Sequence, residues 1–229
     1  MNPRVSVIAP KMKSRTKFMH MMLQNINSQT YPHPQMEWVV VGDSHKSTKM
    51  IFLEAFTRIP TIFCRHFSCN IEGDIGRKRN YACSLAKNKI LASMDNDDVY
   101  HKEYLEYSVS EMNKRSVNMV GCGDMLVFFP LFEGKMTCVR GSLVHEAIIV
   151  CRKQHWKTFK YSEKCMQGEG WSMVDGPYFN ELDITRVMVC VAHESNTYDK
   201  TRLLESTEVS ISNETRERLV HLTSSFDFV

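Results

Sequence analysis

A short apolar run that ends in a cluster of acids constrains this chain more than any other stretch: Ile90-Leu91-Ala92-Ser93-Met94-Asp95-Asn96-Asp97-Asp98-Val99-Tyr100. Ile90 to Met94 has the length and composition of a buried strand. The three carboxylates at its end do not belong in a core, because burying unpaired charge is costly. They place the strand's end at the rim of a sheet, where open α/β folds hold their ligands. Asp95 and Asp97, one residue apart, can turn toward one hard cation. Such a cation prefers oxygen ligands and often carries a phosphate with it. The plainer alternative is an Asx-type turn. An EF-hand loop is ruled out by the missing glycine and distal glutamate.

Upstream, strands and helices alternate. Val5 to Ala9 reads as a strand closed by Pro10. Phe18, Met19, Met22, Leu23 and Ile26 recur at helical spacing, which predicts a helix over 16–28. Glu37 to Val41 is a second strand ending in Gly42-Asp43-Ser44. A helix over 49–56, a strand over 61–67 and a helix over about 77–89 follow. This alternation predicts an α/β fold, with a mostly parallel central sheet flanked by helices. After Asp98 the pattern changes to a helix over 102–114 and short strands over 117–122, 125–129, 136–140, 147–151 and 187–192. These predict a small antiparallel extension. A short helix is expected over 178–182, no periodic structure over 158–177, and a charged, partly helical tail over 201–225. The expectation is a single domain over 1–229, with functional halves at 1–98 and 99–229.

Apolar residues make up 43% of the 229, enough for a real core. A formal net charge of +3 argues against a dedicated nucleic-acid partner, which would normally be more basic. No stretch approaches a transmembrane span, and the first residues lack the features of a signal peptide. None of the eight cysteines forms a CxxC pair, so buried reduced thiols are the expected state. That favours a reducing, cytoplasmic setting, in solution or against a membrane surface.

Two further stretches fall on the same rim. Asp43 ends a strand, as the acidic cluster does. Gly76-Arg77-Lys78-Arg79-Asn80 opens a helix with cations, which the helix dipole disfavours. It reads either as a solvated basic turn or as a clamp on diphosphate, built from loop N–H groups, dipole and guanidinium.

In order and spacing, five blocks resemble the pattern of glycosyltransferase family 2 on a GT-A (Rossmann-like) fold. They are Val5 to Pro10, Ser28-Gln29-Thr30-Tyr31-Pro32, Glu37 to Ser44, Gly76-x-x-Arg79-Asn80, and Met94 to Asp98 with Tyr100 and Glu103-Tyr104-Leu105 behind it. The resemblance covers about the first hundred residues. It implies a nucleotide-sugar-binding half over 1–98 and an acceptor-binding half over 99–229. By the same resemblance Asp43 contacts the nucleotide base, Pro10 lines base and ribose, and Arg79 lies near the nucleotide. Asp95 and Asp97 match the DxD pair, with Asp95 toward ribose or metal and Asp97 a direct metal ligand. His193 resembles a downstream histidine that completes the metal shell. Asp175 is the candidate catalytic base, with Glu169 in reserve. Trp171 reads either as a ring that stacks on a sugar or as a core residue, and Gly168-Glu169-Gly170 as a lid. The chain departs from the family at Lys11-Met12-Lys13-Ser14-Arg15, which replaces a common Thr-Tyr-Asn, and at Val174, which stands where a first acid is expected.

The function implied is inverting transfer of a sugar from a nucleotide diphosphate sugar, UDP-sugar favoured, with Mn²⁺ or Mg²⁺ as cofactor. The acceptor would be a hydroxyl on a glycan, a protein or a lipid-linked molecule. A non-catalytic nucleotide- or glycan-binding module on the same fold is the main alternative. A nucleotidyltransferase is the other, although the loop after the first strand lacks the glycine it would need.

Overall fold

The computed structural model of the protein describes residues 2–42, 53–54, 57, 59–69, 71, 74–165, 168–176, 179–209, 213, 217 and 219–220. Its centre is a parallel pair, β1 (Val5–Lys11) and β2 (Met36–Gly42), in which every residue is buried. Near-continuous apolar runs suit strands covered on both faces. β3 (Phe63–Ser68) adds parallel to β2, and β4 (Ile90–Ser93) adds parallel to β1 on the other side. Period-2 alternation splits these strands between two apolar layers. Val7, Trp38 and Val40 pack with Met22 and Ile26 of helix α1 (Met19–Asn27). Ile8, Val39 and Val41 pack with Ala82 and Cys83 of α2 (Ile75–Leu85). Each such aliphatic side chain contributes about 1.5–3 kcal/mol on burial.

The second half does not simply append to this sheet. The acidic segment leads directly from β4 into β5 (Val99–Tyr100). After helix α3 (Tyr104–Lys114), β6 (Met119–Gly121) returns to the central sheet. β7 (Met125–Phe129) and β8 (Lys135–Val139) then form a hairpin in a different sheet. β9 (Val150–Arg152) runs antiparallel between β4 and β6. The short α4 (Lys153–Thr158) follows it. β10 (Asn180–Glu181) extends the edge, giving the order β10-β6-β9-β4-β1-β2-β3. The other sheet, with β11 (Met188–Val191) and β12 (Thr207–Glu208), has the order β12-β8-β7-β11-β5. The chain thus passes from the first sheet to the second through Asp95–Asp98, which sets those acids at the seam between them.

Several local expectations are corrected. Pro10 does not close β1, which continues through Lys11 in register with Gly42. The expected helix over 16–28 begins as a 3-10 turn over Lys13–Phe18 before α1. The antiparallel extension takes the form of a second sheet of five short strands, in which β7 and β11 are parallel. Where a helix was expected over 178–182, Asn180–Glu181 instead pairs with β6, while residue 178 lies outside the described residues. The expected helix over 49–56 lies mostly outside them, as does the tail beyond 209. All eight cysteines are free thiols, with Cys165 exposed. Among the described residues no helix is long and apolar enough to cross a membrane.

One buried polar side chain ties the first helix to the acidic segment. Asn25 of α1 donates to the Asp98 carbonyl at 2.8 Å and accepts from the Tyr100 N–H at 3.0 Å. An asparagine inside a helix otherwise made apolar on that face is explained by those two bonds. Without them two buried backbone groups would be left unpaired, at about 1–3 kcal/mol each.

Candidate active site at the sheet seam

The acidic loop is fixed by its backbone. The Met94 N–H donates to the Ile8 carbonyl at 3.0 Å, and the Asp95 N–H to the Tyr100 hydroxyl at 2.7 Å. That hydroxyl in turn donates to the Ala147 carbonyl at 2.9 Å. Asn96 Nδ2 donates to the Arg15 carbonyl at 2.7 Å. With the backbone held, the three carboxylates converge: one oxygen from each of Asp95, Asp97 and Asp98 lies within 4.8 Å of the others. They line a cavity of about 500 Å³.

Three buried cations face these acids. Arg15 Nη1 is 3.0 Å from Asp97 Oδ2, while its Nη2 donates to Thr197 Oγ1 at 2.8 Å and its Nε to the Ser195 carbonyl at 3.2 Å. Arg79 Nη2 donates to Asp95 Oδ2 at 2.8 Å, and its Nε to Glu169 Oε1 at 3.0 Å. Lys200 Nζ is 3.7 Å from Asp98 Oδ1. Burial alone would raise the Asp97 carboxyl, but Arg15 and the His193 ring outweigh it and hold that carboxyl well below the usual carboxylate range. Burial pushes Asp98 up to about 6 against the pull of Lys200. Burial works against the charge on Arg79, yet Asp95 and Glu169 raise it well above its ordinary value.

The donor set suits a hard divalent cation. Asp95 Oδ1 is buried without a hydrogen bond; Arg79 Nη1 lies 2.7 Å away but off the line a hydrogen bond requires. Five acids line the cavity, Glu146 and Glu169 being the others, against Arg15, Arg79 and Lys200. A fourth cation on the wall, Arg140, is held by Asp124. An excess of negative charge is left, and an anionic diphosphate would enter it only with a cation.

His193 comes to this cluster from across the chain. Its Nε2 is 3.0 Å from Asp97 Oδ2, and its side chain is buried. The Ser195 N–H donates to Nδ1 at 3.1 Å, and Nε2 faces both Asp97 Oδ2 and, at 2.9 Å, Asn196 Nδ2; the bond from Ser195 assigns the ring proton to Nε2. In this arrangement the ring buttresses Asp97. Coordination through Nε2 would require that proton to leave.

Beyond Arg79, two 3-10 turns bring Glu146 and Glu169 together. The turns are Glu146–Ile148 and Glu169–Met173, and they pack against each other. Burial pushes Glu169 up to about 7, with Arg79 pulling it down and Glu146 pushing it up. Burial also raises Glu146. Two glycines make this packing possible. A Cβ on Gly76 would sit 1.9 Å from the Ser162 carbonyl oxygen and 3.2 Å from Glu169 Cβ. One on Gly170 would sit 3.0 Å from Glu146 Cβ.

The remaining expected site residues fall as follows. Asp43 lies outside the described residues. Pro10 is buried in β1 opposite Val41 and does not line the cavity. Arg79 does line it, but two carboxylates engage its guanidinium where a phosphate was expected. Asp175 is exposed and lies off the cavity, so the structure does not bring it to the acids. Trp171 is 52% exposed at the cavity wall, which leaves a ring face open to a ligand. Glu169 is 1% exposed. It is tied down by Arg79 and by the Ser162 N–H on its carbonyl at 2.9 Å, which does not suit a lid. Arg15, Glu146 and Lys200 were not assigned from the sequence. Only the basic loop ending at Arg15 carried a local signal.

A mostly parallel sheet carrying an acidic pair at a strand's end, with helices on both faces and a second sheet closing the cavity, is a GT-A-type fold. The chain belongs to glycosyl transferase family 2: residues 6–161 match the family's description. Solved structures agree on the fold. The mannosyltransferase PcManGT from Pyrobaculum calidifontis, in complex with GDP-Man and Mn²⁺, superposes with a TM-score of 0.65 at 16% identity, over 86% of this chain and 59% of that one. S. aureus TarS 1-349 in complex with UDP-GlcNAc superposes with a TM-score of 0.62 at 16% identity, over 96% of this chain and 65% of that one. The chain thus spans about three-fifths of the length of these structures. Among curated proteins none matches the sequence.

Proposed function

We propose that the protein transfers a sugar from a nucleotide diphosphate sugar to an acceptor hydroxyl by a single inverting displacement that depends on Mn²⁺ or Mg²⁺. The observation that carries this reading is the convergence of Asp95, Asp97 and Asp98 at the sheet seam, opening into a cavity with excess negative charge. Asp95 and Asp97 would hold the cation, with His193 joining through Nε2 once its proton leaves. Bound there, the cation supplies positive charge against the charge that builds on the departing diphosphate. The chain's own residues prepare the place. Arg15 and His193 keep Asp97 ionised, and Arg79 fixes Asp95. Residues 1–98 would carry the donor, with Asp43 at the base. Residues 99–229 would meet the acceptor, a glycan, a protein or a lipid-linked molecule, with Trp171 offering a ring face. UDP is the favoured nucleotide. The solved relative with GDP-Man keeps guanosine in the comparison.

The binding-module reading has one observation in its favour: Asp97 already has a buried countercharge in Arg15. A donor panel separates the two. Release of nucleoside diphosphate from UDP-, GDP- and dTDP-sugars is measured in Mn²⁺, in Mg²⁺ and in EDTA. The expected result is turnover of at least one donor in metal, fall to background in EDTA, and recovery on adding Mn²⁺ back. Donor binding without turnover in any condition would establish the binding module instead.

A further inference from the structure

We propose that Glu146 takes the proton from the attacking hydroxyl, an inference that rests on the transferase reading above. Of the acids lining the cavity, Asp95, Asp97 and Asp98 face the cation site and are engaged by Arg79, Arg15 and Lys200. Glu169 is buried beneath the wall with Oε1 taken by Arg79. Glu146 is half-buried, and among the described residues the structure records no salt bridge to it. It therefore lines the same cavity as those acids with no salt bridge of its own among the described residues.

The wall is shaped around it. A Cβ on Gly170 would lie 3.0 Å from Glu146 Cβ, 3.1 Å from its Cα and 3.0 Å from Ile149 Cδ1. Any larger residue at 170 would displace the Glu146 backbone or side chain. Burial raises both the Glu146 and Glu169 carboxyls above their ordinary values, while Arg79 pulls each of them down. A carboxylate whose proton affinity is raised suits the task of taking a proton. In the step itself, the acceptor oxygen bonds to the anomeric carbon as its proton passes to Glu146. The bond from that carbon to the diphosphate oxygen breaks, and its electron pair leaves with the nucleoside diphosphate. Water can replace the acceptor with the same balance.

The test uses the full chain, Mn²⁺ and whichever panel donor the wild type hydrolyses. Glu146→Gln should lower kcat by about 10²-fold or more, with donor KM and Mn²⁺ dependence within about two-fold. Glu146→Asp should recover part of the loss. Gly170→Ala, which displaces Glu146 without removing it, should lower kcat with the same unchanged KM. It carries the test if Glu146→Gln does not fold. A Glu146→Gln enzyme with kcat within about three-fold of wild type would overturn the assignment. So would a loss that appears in KM alone, or full loss in Asp175→Asn beside an active Glu146→Gln. No turnover by the wild type on any donor would remove the transferase reading and this inference with it. Turnover that is indifferent to Glu146 removes this inference alone.

Discussion

Replacing Asp97 by alanine should reduce metal-dependent release of nucleoside diphosphate by about 10³-fold or more, the equivalent of some 4 kcal/mol of lost transition-state stabilisation. It should also weaken the fold, and the two effects have separable causes. The first comes from losing an oxygen of the Asp95–Asp97–Asp98 convergence. The second comes from Arg15, whose side chain is 7% exposed and loses its countercharge. Its bonds to the Ser195 carbonyl and Thr197 remain but do not neutralise it. Breaking one partner of such a pair costs about 3–5 kcal/mol. Asp97→Asn keeps an acceptor for the His193 Nε2–H and nearly the same shape, so its denaturation midpoint should fall less than that of Asp97→Ala. Its activity should be lost all the same, because an amide oxygen is a poorer ligand for a hard cation than a carboxylate. Urea midpoints and turnover on the three proteins separate the contributions.

Arg79→Met should destabilise the fold by about 3–5 kcal/mol in urea denaturation. Arg79 is 1% exposed and bridges Asp95 and Glu169, with the Tyr161 ring 5.8 Å from its guanidinium carbon. Without it, two carboxylates face each other across a buried gap. Arg79→Lys restores the charge but not the fork that reaches both acids, so it should recover only part of the stability. This prediction also decides between two roles. A guanidinium that clamped diphosphate would, on conversion to lysine, raise donor KM and leave the urea midpoint nearly intact. A strut between Asp95 and Glu169 would show the reverse, and the geometry favours the strut.

How much of this was legible in the sequence depends on how far apart the cooperating residues lie. The strands at Val5, Glu37 and Ile90 and the helix carrying Met19, Met22 and Ile26 announced themselves through local apolar period. The acidic pair was legible for the opposite reason, since three carboxylates directly after a buried strand contradict the core around them. His193 was found through its likeness to a family histidine, and it does reach Asp97. The rest depends on tertiary convergence. Arg79 and Glu169 are 90 positions apart, and no local pattern says that their charges meet. Lys200 carries no local signal, yet its side chain is 13% exposed and lies 3.7 Å from Asp98. Asp175 was proposed by position in a family pattern, but the turn over Glu169–Met173 leaves it on the surface. The two-residue strand at Asn180 is set by its pairing with β6, not by propensity.

The central claim is that the acidic cluster after β4 holds a cation together with a diphosphate. The most direct test is the linkage between the two, measured as the affinity for UDP or GDP in Mn²⁺ and in EDTA, and for Mn²⁺ with and without the nucleotide. Each should tighten the other by the same factor, roughly 5–150-fold, and the coupling should vanish in Asp97→Ala. A nucleotide that binds as tightly in EDTA as in Mn²⁺ would contradict the account.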